Sequence, residues 1–439
     1  MAQITPFRAI RPTADKAAQI AALPYDVYNS TEARQEAAKH PLSFLRIDRA
    51  EIQFAEGTSP YEGKVYEKAR DTLQQMVAEG DFIRETDDCY YVYELTMNGR
   101  VQTGICACAS IDDYENGIIK KHENTRAEKE KDRIQHIDTL NAQTGPIFLA
   151  YRSKEEINRI VTNAKNQEAL YDFISEDGIR HRVFVINGEN EKSAICEAFA
   201  NISEIYIADG HHRAASAVKV GQKRRKEQPD FSGKEEFNRF LSVLFPDDQL
   251  LIMDYNRVVK DLNARSKEEF LQKITEQGVL LEKVQDVPVQ AGTTKADDNQ
   301  SKEQQSVQAG GLNALRPRKK SEFSMYLGDS WYRLTLPEHL KNNHPVLSLD
   351  VSLLQEHLLE PLLGIKDPRT DERIDFVGGI RGMEELERRV KTDSAVAFAV
   401  YPPSMKELFA VADAGELMPP KSTWFEPKLR SGLLIHEIL

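Results

Sequence analysis

The stretch from Ile205 to Ala217 reads Ile-Tyr-Ile-Ala-Asp-Gly-His-His-Arg-Ala-Ala-Ser-Ala, and it constrains the fold more than any other part of the chain. Ile205-Tyr206-Ile207-Ala208 is apolar and β-prone, whereas the run from Arg213 to Val220 is alanine-rich and helix-prone. A sharp strand-to-helix turn is therefore expected at Asp209-Gly210-His211. Such a turn points free backbone N–H groups and the positive end of a helix at whatever lies above it, which suits an anion such as phosphate. His211, His212 and Arg213 add hydrogen-bonding or cationic side chains, and Asp209 is positioned to hold a metal ion or a donor group. The same residues also describe a capped helix whose polar turn faces solvent, so other stretches decide between the two.

A second candidate is Lys120-Lys121-His122-Glu123-Asn124-Thr125, directly before a charged run from Arg126 to about Leu140. Thr125 and Glu128 have capping-box spacing, which predicts a helix start there. Capping leaves His122 and Glu123 unexplained, because both fall ahead of the cap, where a side chain reaches back over the helix end. A carboxylate beside two lysines and a histidine suits a base that takes a proton from a hydroxyl nucleophile, or an exposed salt-bridging residue. The third candidate is the tail Met418 to Lys428, in which Pro419, Pro420 and Pro427 stiffen the backbone around Lys421, Ser422 and Thr423. That arrangement offers fixed donors to phosphate, with Trp424 and Phe425 as anchors; it also describes a purely structural clamp.

With 439 residues, 40% of them hydrophobic, the chain can bury a sizeable core in two or three domains or lobes. A net charge of -12 argues against nucleic acid as the main partner, no run approaches the length of a membrane span, and a cytoplasmic location follows. Cys89, Cys106, Cys108 and Cys196 lack zinc-ligand spacing, and Cys106 and Cys108 belong to an apolar strand whose shared face meets the core or a cleft, the core being favoured, with no role assigned to either thiol. Asn98-Gly99 between two apolar runs predicts a hairpin. Ser43 to Ile47 reads as a strand, Lys154 to Phe173 as a helix, and Gly221 as the stop of the motif helix, with Lys223 to Lys226 as basic surface beyond it. From Ala291 to Lys320 the chain is polar and almost without large apolar residues, the composition of a flexible insertion. These features divide the chain into a domain over 1–285, an insertion over 286–321 and a C-terminal α+β lobe over 322–439 that completes the site.

Leu23-Pro24-Tyr25-Asp26-Val27, His122-Glu123-Asn124-Thr125, Ile207 to Arg213 and Lys421 to Lys428 resemble, in that order, signature stretches of a large bacterial and archaeal family marked by Ala-Asp-Gly-His-His-Arg. That family is similar to the free L-serine kinases, whose nucleotide-binding fold is that of ParB and sulfiredoxin. The resemblance implies an α/β (α+β) fold with a ParB/sulfiredoxin-like nucleotide-binding domain. It also implies phosphoryl transfer between a nucleotide, ADP or ATP, and the hydroxyl of free L-serine, giving O-phosphoserine. Gly210 and Arg213 match the Gly-x-x-Arg turn that cradles nucleotide phosphates in ParB-like proteins. On this reading Glu123 is the base, with His122 beside it, and His211, His212, Arg213, Lys421, Ser422 and Thr423 hold phosphate. Asp209 positions a donor or holds an inferred Mg²⁺. A phosphoserine phosphatase and a ParB-like nucleotide-binding regulator without small-molecule turnover are the rival readings.

Overall fold

The computed structural model describes residues 1–284 and 311–439, so most of the expected insertion over 286–321 lies outside the described residues. The protein mixes helices with mixed sheets, an α+β architecture, and divides into two compact units. One comprises Met1–Leu250 with Pro427–Leu439, the other Leu251–Glu426. The boundaries expected at 285 and 322 both fall within the second unit. There the strand Leu280–Lys283 pairs with Ser330–Thr335, so residues on both sides of the insertion share one sheet.

The first unit is organised on a nine-stranded sheet. Its strands are β1 (Ile4–Thr5), β2 (Tyr90–Met97), β3 (Arg100–Ser110), β4 (Ile119–Lys120), β5 (Ile147–Tyr151), β6 (Tyr171–Ile174), β7 (Arg180–Ile186), β8 (Ile205–Asp209) and β9 (Arg239–Pro246). Their spatial order is β4-β8-β5-β9-β3-β2-β7-β6, with β1 on β3. The β4·β8 and β5·β9 pairs are parallel and the others antiparallel. β2 and β3 form the hairpin expected at Asn98-Gly99, both of which have positive φ as a two-residue turn demands. Almost every residue of β3, β5, β8 and β9 is buried, because the sheet is covered on both faces. Cys106 and Cys108 are fully buried there, and burial pushes both thiols up, which leaves them structural. A smaller sheet joins Ala9–Pro12, Phe82–Arg84, Ala142–Gln143 and Ile435–Glu437, so the end of the chain returns to its beginning.

Two helices carry the candidate stretches, α1 (Ala127–Leu140) and α2 (His211–Glu227). Gly221 does not end α2. A Cβ on it would lie 2.4 Å from the Phe237 carbonyl oxygen and 2.7 Å from Ile111, so this glycine permits close packing inside the helix. The basic residues expected beyond it occupy the last turns of α2, where cations suit the helix dipole. Lys223 and Arg224 bind Asp138 and Arg225 binds Asp112, so these basic side chains, Lys223 half exposed among them, pair with neighbouring acids. Two other expectations fail for a related reason. Ser43 to Ile47 is not a strand but leads into a short helix at Leu45–Asp48, and the helix after Lys154 stops at Ala164, with strand β6 taking over at Tyr171. Short apolar runs do not distinguish helix from strand by periodicity, and neighbours in space decide.

The second unit holds a six-stranded sheet in the order Leu280–Lys283, Ser330–Thr335, Glu322–Leu327, Val396–Ala399, Tyr255–Val259, Ile374–Gly378. Its core gathers Val258, Tyr326, Trp331, Val377, Met383 and Leu386. Trp424 and Phe425 pair with Ile252–Met253, and the Trp424 ring lies edge-on to Tyr255 at 5.0 Å, which anchors the proline-rich tail as expected. Among the described residues no helix is long and apolar enough to cross a membrane.

Candidate functional site

The turn forms where β8 meets α2. The pairing of β8 with β5 shifts register between Ile207 and Asp209, which face Leu149 and Phe148, so the strand carries one extra residue at its end. A bulge of this kind re-aims the side chains that follow it, here Asp209. Gly210 then takes a left-handed conformation with φ 92°, and a Cβ there would lie 3.1 Å from the Arg213 guanidinium. Both facts call for glycine. No side chain caps α2, so the N–H groups of its first turn point outward as an anion-binding end requires.

Asp209 Oδ1 accepts the Gly210 N–H at 2.8 Å, and Oδ2 accepts the Lys428 ammonium at 3.0 Å. The Arg213 guanidinium lies 4.0 Å from the same oxygen, with its Nη1 donating to the Pro146 carbonyl. Burial alone would raise the Asp209 carboxyl, but the charges of Lys428 and Arg213 outweigh it and hold the group far below the usual carboxylate range. Asp209 is thus a fixed anion with both oxygens engaged. Arg213 is folded back beneath the turn, its side chain 12% exposed.

The segment Lys120 to Arg126 passes over the start of α2 and touches both motif histidines. His211 Nε2 accepts the His122 N–H at 3.5 Å, and its Nδ1 lies 4.0 Å from Glu123 Oε2. His212 turns to the far end of the segment, where Nε2 accepts the Arg126 N–H at 3.0 Å. The His122 and His211 rings meet edge to face at 4.4 Å, both buried. Neither ring nitrogen of His122 has a hydrogen-bond partner among the described residues. Burial pushes His122 down to about 4, against the pull of the Asp209 charge. Burial, together with His122, also lowers His211 well below its usual value. Both imidazoles are neutral near pH 7. The Glu123 side chain is 44% exposed.

The capping box expected at Thr125 is absent. α1 begins at Ala127 without a side-chain cap, and Thr125 donates instead to Glu130, which also binds Lys219 of α2. That tertiary ion pair redirects the hydroxyl from the helix end.

The structure therefore brings together His122, Glu123, Asp209, Gly210, His211, His212 and Arg213 in the first unit. Lys421, Ser422 and Thr423 belong to the second. Lys421 has a positive φ of 56° and its ammonium lies 5.4 Å from the centre of the Tyr255 ring, while Ser422 Oγ is committed to the Pro419 carbonyl at 2.6 Å. The lysine that meets Asp209 is Lys428, seven positions beyond Lys421 in the same tail motif and part of the first unit. As for Mg²⁺, Asp209 is occupied by Lys428. Among the described residues, the one preassembled group of three metal-capable ligands is Glu36, His40 and Glu176, which excludes Asp209.

A family model described as a protein of unknown function, DUF1015, matches residues 4–352. The chain belongs to this family. The match takes in Leu23–Val27, His122–Thr125 and Asp209–Arg213 and ends before the tail. No curated protein matches the chain. Among solved structures, this DUF1015 member is similar to a free serine kinase in complex with AMP, with 14% identity over 76% of this chain and 93% of the other, and a TM-score of 0.33. It is also similar to SbnI with a C-terminal truncation from Staphylococcus aureus, with 12% identity over 75% and 87% and a TM-score of 0.36. A conserved hypothetical protein from Pyrococcus furiosus shares 14% identity over 76% and 97%, with a TM-score of 0.31.

The buried imidazoles give the protein a defined acid sensitivity. His122 and His136 are pushed down to about 4 and His181 to about 3, all chiefly by burial, from an ordinary value of 6.5. Unfolded, each takes a proton near pH 6.5; folded, each resists until far lower. Their contribution is fully present above pH 6.5 and is lost as pH falls toward 4. Asp350 in the second unit has the opposite sign, since burial pushes it up to about 7 and its contribution is lost as pH rises through that value. With three such histidines in the first unit, its thermal midpoint is expected to drop between pH 7 and pH 5. Each group supplies at most about 1.4 kcal/mol per pH unit. Thermal unfolding across that range checks this, and a His122→Gln variant with a shallower slope identifies His122 as one source.

Proposed function

We propose that this chain is a phosphotransferase that moves phosphate between a nucleotide, ADP or ATP, and the hydroxyl of free L-serine, giving O-phosphoserine. The observation that carries this reading is the meeting of the Asp209–Arg213 turn with His122 and Glu123 at an uncapped helix start. Phosphoryl transfer is achieved mainly by positioning and charge stabilisation, and this corner supplies both. The open N–H groups of α2 and the Arg213 guanidinium receive the phosphates. Lys428 keeps Asp209 ionised, and the pair fixes the turn. The neutral His211 imidazole offers a hydrogen bond without adding charge. Glu123 takes the proton of the serine hydroxyl as its oxygen bonds to phosphorus, and the bond from phosphorus to the nucleotide's bridging oxygen breaks. Mg²⁺ belongs to this reading as the counter-ion that the nucleotide brings, shielding its phosphates. The ParB/sulfiredoxin-like assignment of the first unit rests on the resemblance of Gly210 and Arg213 to the Gly-x-x-Arg turn.

Purified protein with Mg²⁺, ADP or ATP and a panel of free amino acids, followed by ³¹P NMR, is expected to form O-phosphoserine. Glu123→Gln is expected to lower turnover by about 10²-fold or more while nucleotide affinity stays nearly unchanged. Full turnover in that variant removes Glu123 from the chemistry. Release of inorganic phosphate from phosphoserine, without transfer to nucleotide, makes the protein a phosphatase; DNA affinity that responds to nucleotide, with no phosphoserine formed, makes it a regulator.

A further inference from the structure

Two adjoining cavities open beside the site, both within the first unit. A small one of about 30 Å³ is bounded by Arg213, Gly145 and Thr144, and a larger one of about 180 Å³ by Tyr28, Glu51 and Tyr66. Tyr25, Asp48, Arg133 and His136 line both, so the two form one recess with a shared polar wall, and Arg213 borders its smaller part. Tyr25 comes from the Leu23–Val27 motif, which the phosphate site does not otherwise use.

The charges in this recess are not fully matched by the protein. Asp48 is 5% exposed, and its hydrogen bond comes from an uncharged donor, Thr144 Oγ1, at 2.7 Å to Oδ1. The His136 ring lies 4.0 Å from the same oxygen, but its Nε2 is within 3.3 Å of the Ile47 carbonyl, and burial with the nearby Arg133 keeps it neutral. No lysine or arginine lies within 4.0 Å of Asp48 among the described residues; Arg133, across the recess, acts on it only at longer range, so no cation touches this buried carboxylate. Arg133 is 8% exposed and stacks on Tyr25 with its guanidinium 3.9 Å from the ring centre. It spends Nε and Nη2 on Asp132, and Nη1 makes no hydrogen bond among the described residues. A buried charge that lacks its partner is costly, and a ligand that supplies the partner recovers that cost. The two open groups have opposite sign, and they share a recess with the rings of Tyr25, Tyr28, Tyr61, Tyr66 and His136.

We propose that this recess is the binding pocket for a small zwitterion, its ammonium on Asp48 and its carboxylate on Arg133. The pocket reads the two groups common to free α-amino acids. Arg213 at its smaller part places the ligand's side chain toward the phosphate-binding turn. The pairing rests on the phosphotransferase reading only in making this zwitterion the phosphate acceptor; the binding itself does not depend on it.

Isothermal titration of the full chain with L-serine, N-acetyl-L-serine and L-serinamide tests the pocket without altering the fold. L-serine is expected to bind, and loss of either charge is expected to weaken binding at least about 10-fold. Equal affinity for all three ligands, or no binding of L-serine at millimolar concentration, overturns the proposal. Asp48→Asn keeps the shape and the Thr144 contact; it is expected to weaken L-serine binding about 10-fold or more and leave AMP binding unchanged. Serine binding that disappears in Asp48→Asn, in a wild-type protein that transfers no phosphate, supports the pocket and sinks the kinase. Phosphoserine formation with an unchanged serine KM in Asp48→Asn does the reverse.

Discussion

Arg213→Ala is expected to lower kcat/KM for nucleotide by about 10²–10³-fold, the cost of removing one preorganised donor from developing charge on phosphate. The side chain has three attachments: the Pro146 carbonyl, the Asp209 carboxylate 4.0 Å away and the underside of Gly210. Removing it frees the turn as well as deleting a cation, so part of the loss is positional. Arg213→Lys separates the two contributions, because it keeps the charge but not the planar fork that reaches Pro146 and Asp209 together. If fixing the turn matters, the lysine variant loses activity nearly as far as alanine does; if charge alone matters, it retains most of it. Steady-state kinetics beside thermal unfolding of both variants decides this, and wild-type rates in Arg213→Ala remove the residue from the site.

The second large effect concerns stability. Gly221→Val is expected to destabilise the first unit by about 3 kcal/mol, at the upper end of overpacking costs. The added Cβ would stand 2.4 Å from a backbone carbonyl, that of Phe237, which cannot rotate away as a flexible side chain can. Relief requires α2 to move off the segment before β9, and α2 begins at the phosphate-binding turn. Nucleotide affinity is therefore expected to fall together with the thermal midpoint. Gly63 is the control: like Gly221 it lies in a helix and has no positive φ, but no atom lies within 4 Å of where its Cβ would be.

Gly221 also marks where the sequence stops being readable. The turn at Asp209–Gly210 was legible because strand propensity, helix propensity and the glycine between them lie in consecutive positions. Gly221 reads as a helix stop by the same local logic, yet its reason is Phe237, sixteen residues on and across the helix face. Thr125 repeats the lesson. Its spacing to Glu128 makes a capping box on paper, while Lys219 holds Glu130 where the hydroxyl prefers to bind. The hairpin at Asn98-Gly99 and the core position of Cys106 and Cys108 needed only neighbours in sequence and were readable. In the tail, Lys421 and Lys428 look equally suited to a phosphate clamp; which one reaches Asp209 depends on the path of the chain, and only Pro427 hints that the direction changes before Lys428. The recess at Asp48 and Arg133 had no local signal, since its walls come from segments far apart in the chain.

The return of Pro427–Leu439 to the first unit carries a consequence for biosynthesis. All of 251–426 is translated between Asp209 and the lysine that neutralises it, and the strand Ile435–Glu437 that joins Ala9–Pro12 to Ala142–Gln143 follows later still. A nascent chain on the ribosome thus leaves Arg213 alone to offset the carboxylate at the turn, and leaves an unfilled slot in the small sheet, until Lys428 and Ile435–Glu437 have been made. Maturation of the corner that would handle phosphate waits until translation has passed Lys428 and Glu437.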